Sequence, residues 1–210
     1  MVPRSNGANL RKHRRRRSEV LKGQASGGYP AIAIKGRGSG FLYFAYGSNL
    51  SLRRLTDTSR APSALRVAVG YVLGRRLAFD KYSRRDKSGK CDCEVSSDAG
   101  DIVYGVVYRV ALADRAALDR AEGLGQGYRK EAITVIAGDA AYEAVTYVAT
   151  DKRAGLFVYD WYLEHVLTGA LENSLPRDYI DSIRRIPVVK DKDTERVRRE
   201  RQIYQAKVER

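Results

Sequence analysis

Leu42-Tyr43-Phe44-Ala45-Tyr46-Gly47-Ser48-Asn49-Leu50 is where the chain begins to read as a fold. Five apolar or aromatic residues in a row predict a short buried strand, and Gly47-Ser48-Asn49 stops it. Residues 50–55 then read as a helical turn or short helix. A strand that ends in Gly-Ser-Asn and enters a helix leaves backbone N–H groups clustered at one point. Such a point suits a carboxylate or carbonyl oxygen, with the helix dipole favouring negative charge and Gly47 letting a ligand approach the backbone. From the residues alone, an ordinary turn is the competing reading.

Downstream, residues 66–73, 75–80, 91–95 and 102–110 read as strands, with a polar loop at 82–90. Asp114 is placed to cap a helix over 115–122, and Gly123 to end it. Residues 128–136 and 142–149 form a hairpin around Ala137-Gly138-Asp139-Ala140. Residues 156–171 show helical spacing through Val158, Trp161, Tyr162 and Val166. Pro176 starts a further helix to 186, and residues 195–201 predict an exposed charged helix. Strands in the middle and helices toward the end predict an α+β fold. Its sheet is mostly antiparallel, mixed and barrel-like, with flanking helices.

Upstream of Phe41 the composition changes. The 210 residues carry a net charge of +14, but residues 1–40 hold ten Lys and Arg, including the run 14–17, against Glu19 alone. That leaves +5 for everything else, so the excess sits on a basic, Gly/Ser-containing arm rather than on a folded surface. The division expected is a disordered arm at 1–40, one domain at 41–188 and a charged extension at 189–210, with residues 31–34 able to pair onto a sheet edge. Without interleaved aromatics the arm would bind nucleic acid only non-specifically, so a nucleic-acid role ranks low. Cys91 and Cys93 are the only cysteines and His13 and His165 the only histidines, which argues against a metal centre. His165, four residues from Trp161, reads as structural. No apolar run is long enough to span a bilayer, and the charged start has no apolar stretch behind it, so a reducing cytoplasmic setting is expected.

Phe44-Ala45-Tyr46-Gly47-Ser48-Asn49-Leu50 resembles the signature of the γ-glutamylcyclotransferase family, which includes AIG2-like proteins. Val103-Tyr104-Gly105-Val106-Val107-Tyr108, Leu118-Asp119-Arg120-Ala121-Glu122-Gly123 and Gly127-Tyr128 follow in that family's order. Tyr162, Gly169-Ala170 and Glu172-Asn173-Ser174-Leu175-Pro176 resemble the carboxy-terminal part of the animal-type enzymes. The likeness covers residues 41–186. It implies a cofactor-free, metal-free enzyme acting on a small γ-glutamyl molecule, with a glutamyl pocket formed by Tyr43, Phe44, Ala45, Tyr46, Gly47, Ser48 and Asn49. Glu122 falls on the family's catalytic glutamate, and Tyr128 and Tyr162 fall near its substrate-facing tyrosines. Read without the resemblance, Glu122 is a solvated acid at a helix end whose dipole disfavours it, and the two tyrosines are core residues.

The reaction implied is internal cyclisation. The α-amine of the γ-glutamyl group attacks its own γ-carbonyl, releasing 5-oxoproline and the attached amine or amino acid, with Glu122 as base and then acid. The rival reading keeps fold and pocket as a non-catalytic binding module. The leaving group is addressed by loops such as 82–90 and 151–155. The basic character of 82–90 hints at a carboxylate-bearing one.

Overall fold

The computed structural model describes residues 40–205, so the run 14–17 and the piece at 31–34 lie outside the described residues. Five strands close a barrel in the order β1 (Gly40–Ala45), β5 (Ile102–Ala111), β2 (Leu65–Leu73), β6 (Tyr128–Ala137) and β7 (Ala140–Ala149). Each pair is antiparallel except β1 and β7, which meet in parallel at Tyr43 and Val145 and close the ring. The mixed, barrel-like sheet read from the sequence is therefore what forms. Closure leaves these strands no free edge. Phe44, Val106, Val107, Tyr108, Val110 and Val135 are fully buried in the core. Gly105 makes room for Phe44, since a Cβ there would stand 2.6 Å from the ring.

Outside the barrel, β3 (Arg75–Tyr82) and β4 (Gly89–Val95) form a separate hairpin. It is tied to the chain after β7 by an ionic knot. The Lys152 ammonium lies 3.1, 2.8 and 2.5 Å from carboxylates of Asp80, Asp92 and Glu94. Burial tends to lower the lysine's pKa, but the hydrogen bonds that its ammonium donates to these acids outweigh it and raise the pKa. Asp92 is fully buried and also accepts from the Ala149 N–H at 2.8 Å. The hairpin thus holds Cys91 and Cys93 inside the molecule, where burial pushes both thiols up to about 12.

Among the described residues five α-helices flank the sheet: α1 (Leu52–Leu55), α2 (Arg115–Glu122), α3 (Asp160–Glu172), α4 (Arg177–Arg184) and α5 (Thr194–Gln202). The span of α2 matches the sequence reading, and Gly123 ends it in the left-handed region at φ +70. Asp114, however, does not cap this helix. Its carboxylate accepts from the Ser63 N–H and hydroxyl at 2.8 and 2.5 Å, fastening a loop instead. Helix α3 starts later than its apolar spacing suggests. Val158 and Tyr159 form a two-residue strand, β8, parallel to β9 (Val188–Val189).

The α5 helix forms where expected, but one face is docked rather than exposed. Glu200 is buried, 3.2 Å from Arg54 and 3.3 Å from His165, and His165 Nδ1 lies 2.8 Å from the Tyr204 hydroxyl. Arg196 grips Asp191 at 2.5 and 2.6 Å, and Asp191 also accepts from the Trp161 indole at 2.7 Å. These contacts tie the last described helix to α3. Burial, with the Arg54 charge and against the pull of Glu200, holds His165 down at about 4. Burial tends to raise Glu200, but the His165 hydrogen bond and Arg54 outweigh it and leave it at about 2.

Two outcomes follow from this packing. An unfolded histidine takes up a proton below its ordinary value of 6.5 whereas folded His165 does so near 4, so stability falls as pH drops through that window. Glu200 extends the loss from 4.5 down toward 2, because the unfolded acid protonates first. Urea midpoints followed by the fluorescence of Trp161, the only tryptophan, should fall between pH 6.5 and 4 and fall less in His165→Gln; an identical fall in that variant would exclude His165 as the cause. The two thiols should also resist a thiol-specific reagent in the native protein and react promptly in urea.

Candidate active site

Strand β1 and the residue just after it bring Tyr43 and Tyr46 to a cleft of about 330 Å³, and the chain then turns through a 3-10 segment, Ser48–Leu50. The turn is anchored from below. The Leu50 carbonyl accepts from the Tyr108 hydroxyl at 2.6 Å and from Asn173 Nδ2 at 2.9 Å. Gly169 of α3 lies directly against Leu50 and Ser51, and a Cβ there would collide with both. Asn49, itself buried, is thereby held with its amide facing the end of α2.

Glu122, the last residue of α2, meets these groups. Its Oε1 accepts from the Tyr43 hydroxyl at 2.5 Å and from Asn49 Nδ2 at 2.7 Å. The donors lie 79 and 73 residues away in sequence, so the barrel brings the three together. Burial, followed by the charge and hydrogen bond of Glu122, drives the Tyr43 phenol well above its ordinary value, so it stays a donor. The second neutral donor, Asn49, is steadied by Arg60, whose Nη1 lies 3.5 Å from Asn49 Oδ1.

The opposite wall is built around Cys91. The Tyr162 hydroxyl accepts from the Cys91 N–H at 2.9 Å, and the Tyr128 hydroxyl donates to the Cys91 carbonyl at 2.6 Å. Both tyrosines line the cleft, and their hydroxyls are engaged with the β4 backbone. Lys90 stands over the rings of Trp161 and Tyr162 at 4.8 and 4.5 Å, paired with Asp86 at 2.7 Å.

Tyr43, Tyr46, Gly47, Ser48, Asn49, Glu122, Tyr128 and Tyr162 all face the cleft. Phe44 and Ala45 do not. Both are fully buried outside its lining, with Phe44 against Gly105 and Tyr46. Gly47 serves a different need from the one read in the sequence, because a Cβ there would stand 3.0 Å from the Cys91 Cβ. Its missing side chain admits the hairpin. The expected helix dipole is also slight, since the turn has three residues and α1 four. Side-chain cations take its place: Arg54, Arg60, Lys81, Lys90, Arg120 and Arg196 line the cleft with Glu122, Asp86 and Glu200. Sequence reasoning missed Arg60 and Lys81. Each lies on a segment that touches the site only through the tertiary fold, and the basic tone of 82–90 was the nearest signal.

The AIG2-like family model matches residues 102–183. The γ-glutamylcyclotransferase of Mus musculus is 30% identical over 155 residues, covering 71% of this chain and 80% of that protein. The Homo sapiens γ-glutamylcyclotransferase is 30% identical over 152 residues, covering 70% and 78%. A solved structure titled as a γ-glutamyl cyclotransferase superposes with a TM-score of 0.66 at 26% identity, covering 77% of this chain and 99% of that one. A closed five-stranded barrel with these relatives identifies the chain as a member of the γ-glutamylcyclotransferase family.

Proposed function

We propose that this chain cyclises the γ-glutamyl group of a small amide to 5-oxoproline, with Glu122 carrying the proton. The observation that supports this most is the Glu122 carboxylate, held by two neutral donors at 2.5 and 2.7 Å in a cleft lined by tyrosines and cations. Both donors reach the same oxygen, Oε1. That division leaves Oε2 as the oxygen that exchanges protons with substrate.

In the reaction the α-ammonium gives up one proton and becomes a nucleophile. Its nitrogen bonds to the γ-carbonyl carbon, closing a five-membered ring, and sheds a second proton as the lactam forms. The bond from that carbon to the leaving nitrogen breaks as Glu122 delivers a proton to it. The departing amine takes up its last proton in water, so none is gained or lost in total. Nucleophile and electrophile share one molecule, so holding it bent supplies much of the acceleration. The Tyr43–Asn49 stretch, less Phe44 and Ala45, holds the glutamyl end, and backbone N–H groups at Gly47-Ser48 suit the developing oxyanion.

No helix among the described residues is long and apolar enough to cross a membrane. The two free, buried cysteines suit a reducing cytoplasm, and a cleft of about 330 Å³ with cations on its walls suits a small anionic ligand.

Purified protein should release 5-oxoproline from a panel of γ-glutamyl dipeptides and amines, and Glu122→Gln should lower kcat by about 10²- to 10⁴-fold without unfolding the chain. Binding without release by the unaltered protein would instead favour a non-catalytic module. Tyr43→Phe and Asn49→Ala, each removing one donor from Glu122, should cost roughly 10- to 100-fold in kcat/KM.

A further inference from the structure

Asn49 is 3% exposed, and its side-chain amide is engaged at both ends. Nδ2 donates to Glu122 Oε1 at 2.7 Å and to the Tyr43 hydroxyl at 3.4 Å, while Oδ1 faces Arg60 Nη1 at 3.5 Å. The Tyr43 hydroxyl donates in turn to the same Oε1 at 2.5 Å, closing a triangle. An amide has two orientations of nearly equal shape that differ in which end carries the donors. Turned over, Asn49 would set its carbonyl oxygen against a carboxylate and its NH2 against a guanidinium. Both contacts would be repulsive. The anion and the cation therefore specify the same orientation from opposite ends.

The turn that carries Arg60 is firmly closed. The Arg60 N–H donates to the Asp57 carbonyl at 2.9 Å, and the Ala61 N–H to the Leu55 carbonyl at 3.0 Å. The Asp57 carboxylate accepts from the Ser59 N–H and hydroxyl at 2.9 and 2.5 Å. Among the described residues the one side-chain bond of Arg60 is to Asn49. Burial, followed by the charge of Arg54, lowers the Arg60 pKa; of the acids that act the other way, Glu122 is the strongest, ahead of Glu200. Arg54 itself is met by Glu200 at 3.2 Å and is tied to α5. The two arginines of this wall thus answer to different anions, Arg54 to Glu200 and Arg60 to Glu122.

The last torsion of a glutamate side chain is soft. The two donors on Oε1 are what aim Oε2 into the cleft, and losing either lets the carboxylate swing. Tyr43 is fixed by its strand. Asn49 can turn its amide over, and the guanidinium at its far end opposes that turn.

Resting on the reaction proposed above, we propose that Arg60 is a positioning residue for Glu122: it fixes the Asn49 amide with Nδ2 toward Oε1, which leaves Oε2 aimed at the substrate's nitrogens.

The test is a double-mutant cycle on 5-oxoproline release from the best substrate of the panel above. Arg60→Met alone should lower kcat by roughly 5- to 20-fold and leave KM within about twofold. In the Asn49→Ala background the same change should cost less than about twofold, because the amide it acts through is gone. Arg60→Lys, which keeps the charge, should recover part of kcat. Losses that multiply, or a loss confined to KM, would put Arg60 on the substrate and overturn the proposal.

A second readout needs no turnover and so separates this from failure of the reaction itself. It is the Asn49 side-chain NH2 pair in an amide proton–nitrogen correlation spectrum, identified by its loss in Asn49→Ala. Donation to a carboxylate should set one of its protons downfield, and Arg60→Met should return that proton toward the position of exposed amides. Arg60→Gln takes its place if the methionine variant does not fold. No downfield proton in the unaltered protein, or an NH2 pair unmoved by loss of Arg60, overturns the proposal whether or not 5-oxoproline is released.

Discussion

A carboxylate in a protein cleft must be met by donors, and for Glu122 these are Tyr43 and Asn49. Much of the architecture serves that meeting. β1 closes the barrel against both β5 and β7 and carries Tyr43. The turn that follows is pinned through the Leu50 carbonyl by a strand tyrosine and a helix-end asparagine, with Gly169 letting α3 lie directly upon it. From the other direction, Gly123 stops α2 one residue after the carboxylate. A slip in any of these would separate groups that are far apart in sequence and are bonded at 2.5 to 2.7 Å.

The opposite wall works by a different device. Two tyrosine hydroxyls are engaged by the N–H and carbonyl of one residue, Cys91, so the β4 backbone is fixed to two residues that line the cleft. The hairpin that carries Cys91 is itself held by Lys152 among three acids. With short helical segments at the motif, the positive potential in the cleft comes from side chains. Side-chain cations can be placed on separate walls, which a helix terminus cannot do.

Much of the fold was legible because local pattern and tertiary structure agree. Apolar and aromatic runs, with alternation in β5, marked the barrel strands, the stretch Ala137-Gly138-Asp139-Ala140 marked the hairpin between β6 and β7, and Gly123 marked the end of α2. Where a residue's partner is distant, the sequence was silent or misleading. Asp114 looks like a helix cap and serves Ser63, and Val158-Tyr159 looks helical and pairs with β9, a strand too short to show a period. In the candidate site, the motif and Glu122 could be singled out only in combination, and treating the motif as one unit included Phe44 and Ala45, which the barrel core claims. Arg60 and Lys81 carry no local signal at all, because only closure of the barrel and its hairpin makes them neighbours of Glu122.

The central claim is that the cleft holds a γ-glutamyl group with its α-nitrogen at Glu122. The most direct measurement is a crystal structure of Glu122→Gln soaked with a γ-glutamyl dipeptide. The α-nitrogen should lie within about 3 Å of the residue-122 amide oxygen, with the γ-carbonyl carbon bent toward that nitrogen. A dipeptide bound with its α-nitrogen turned away from position 122, or lying outside the cleft, would contradict it.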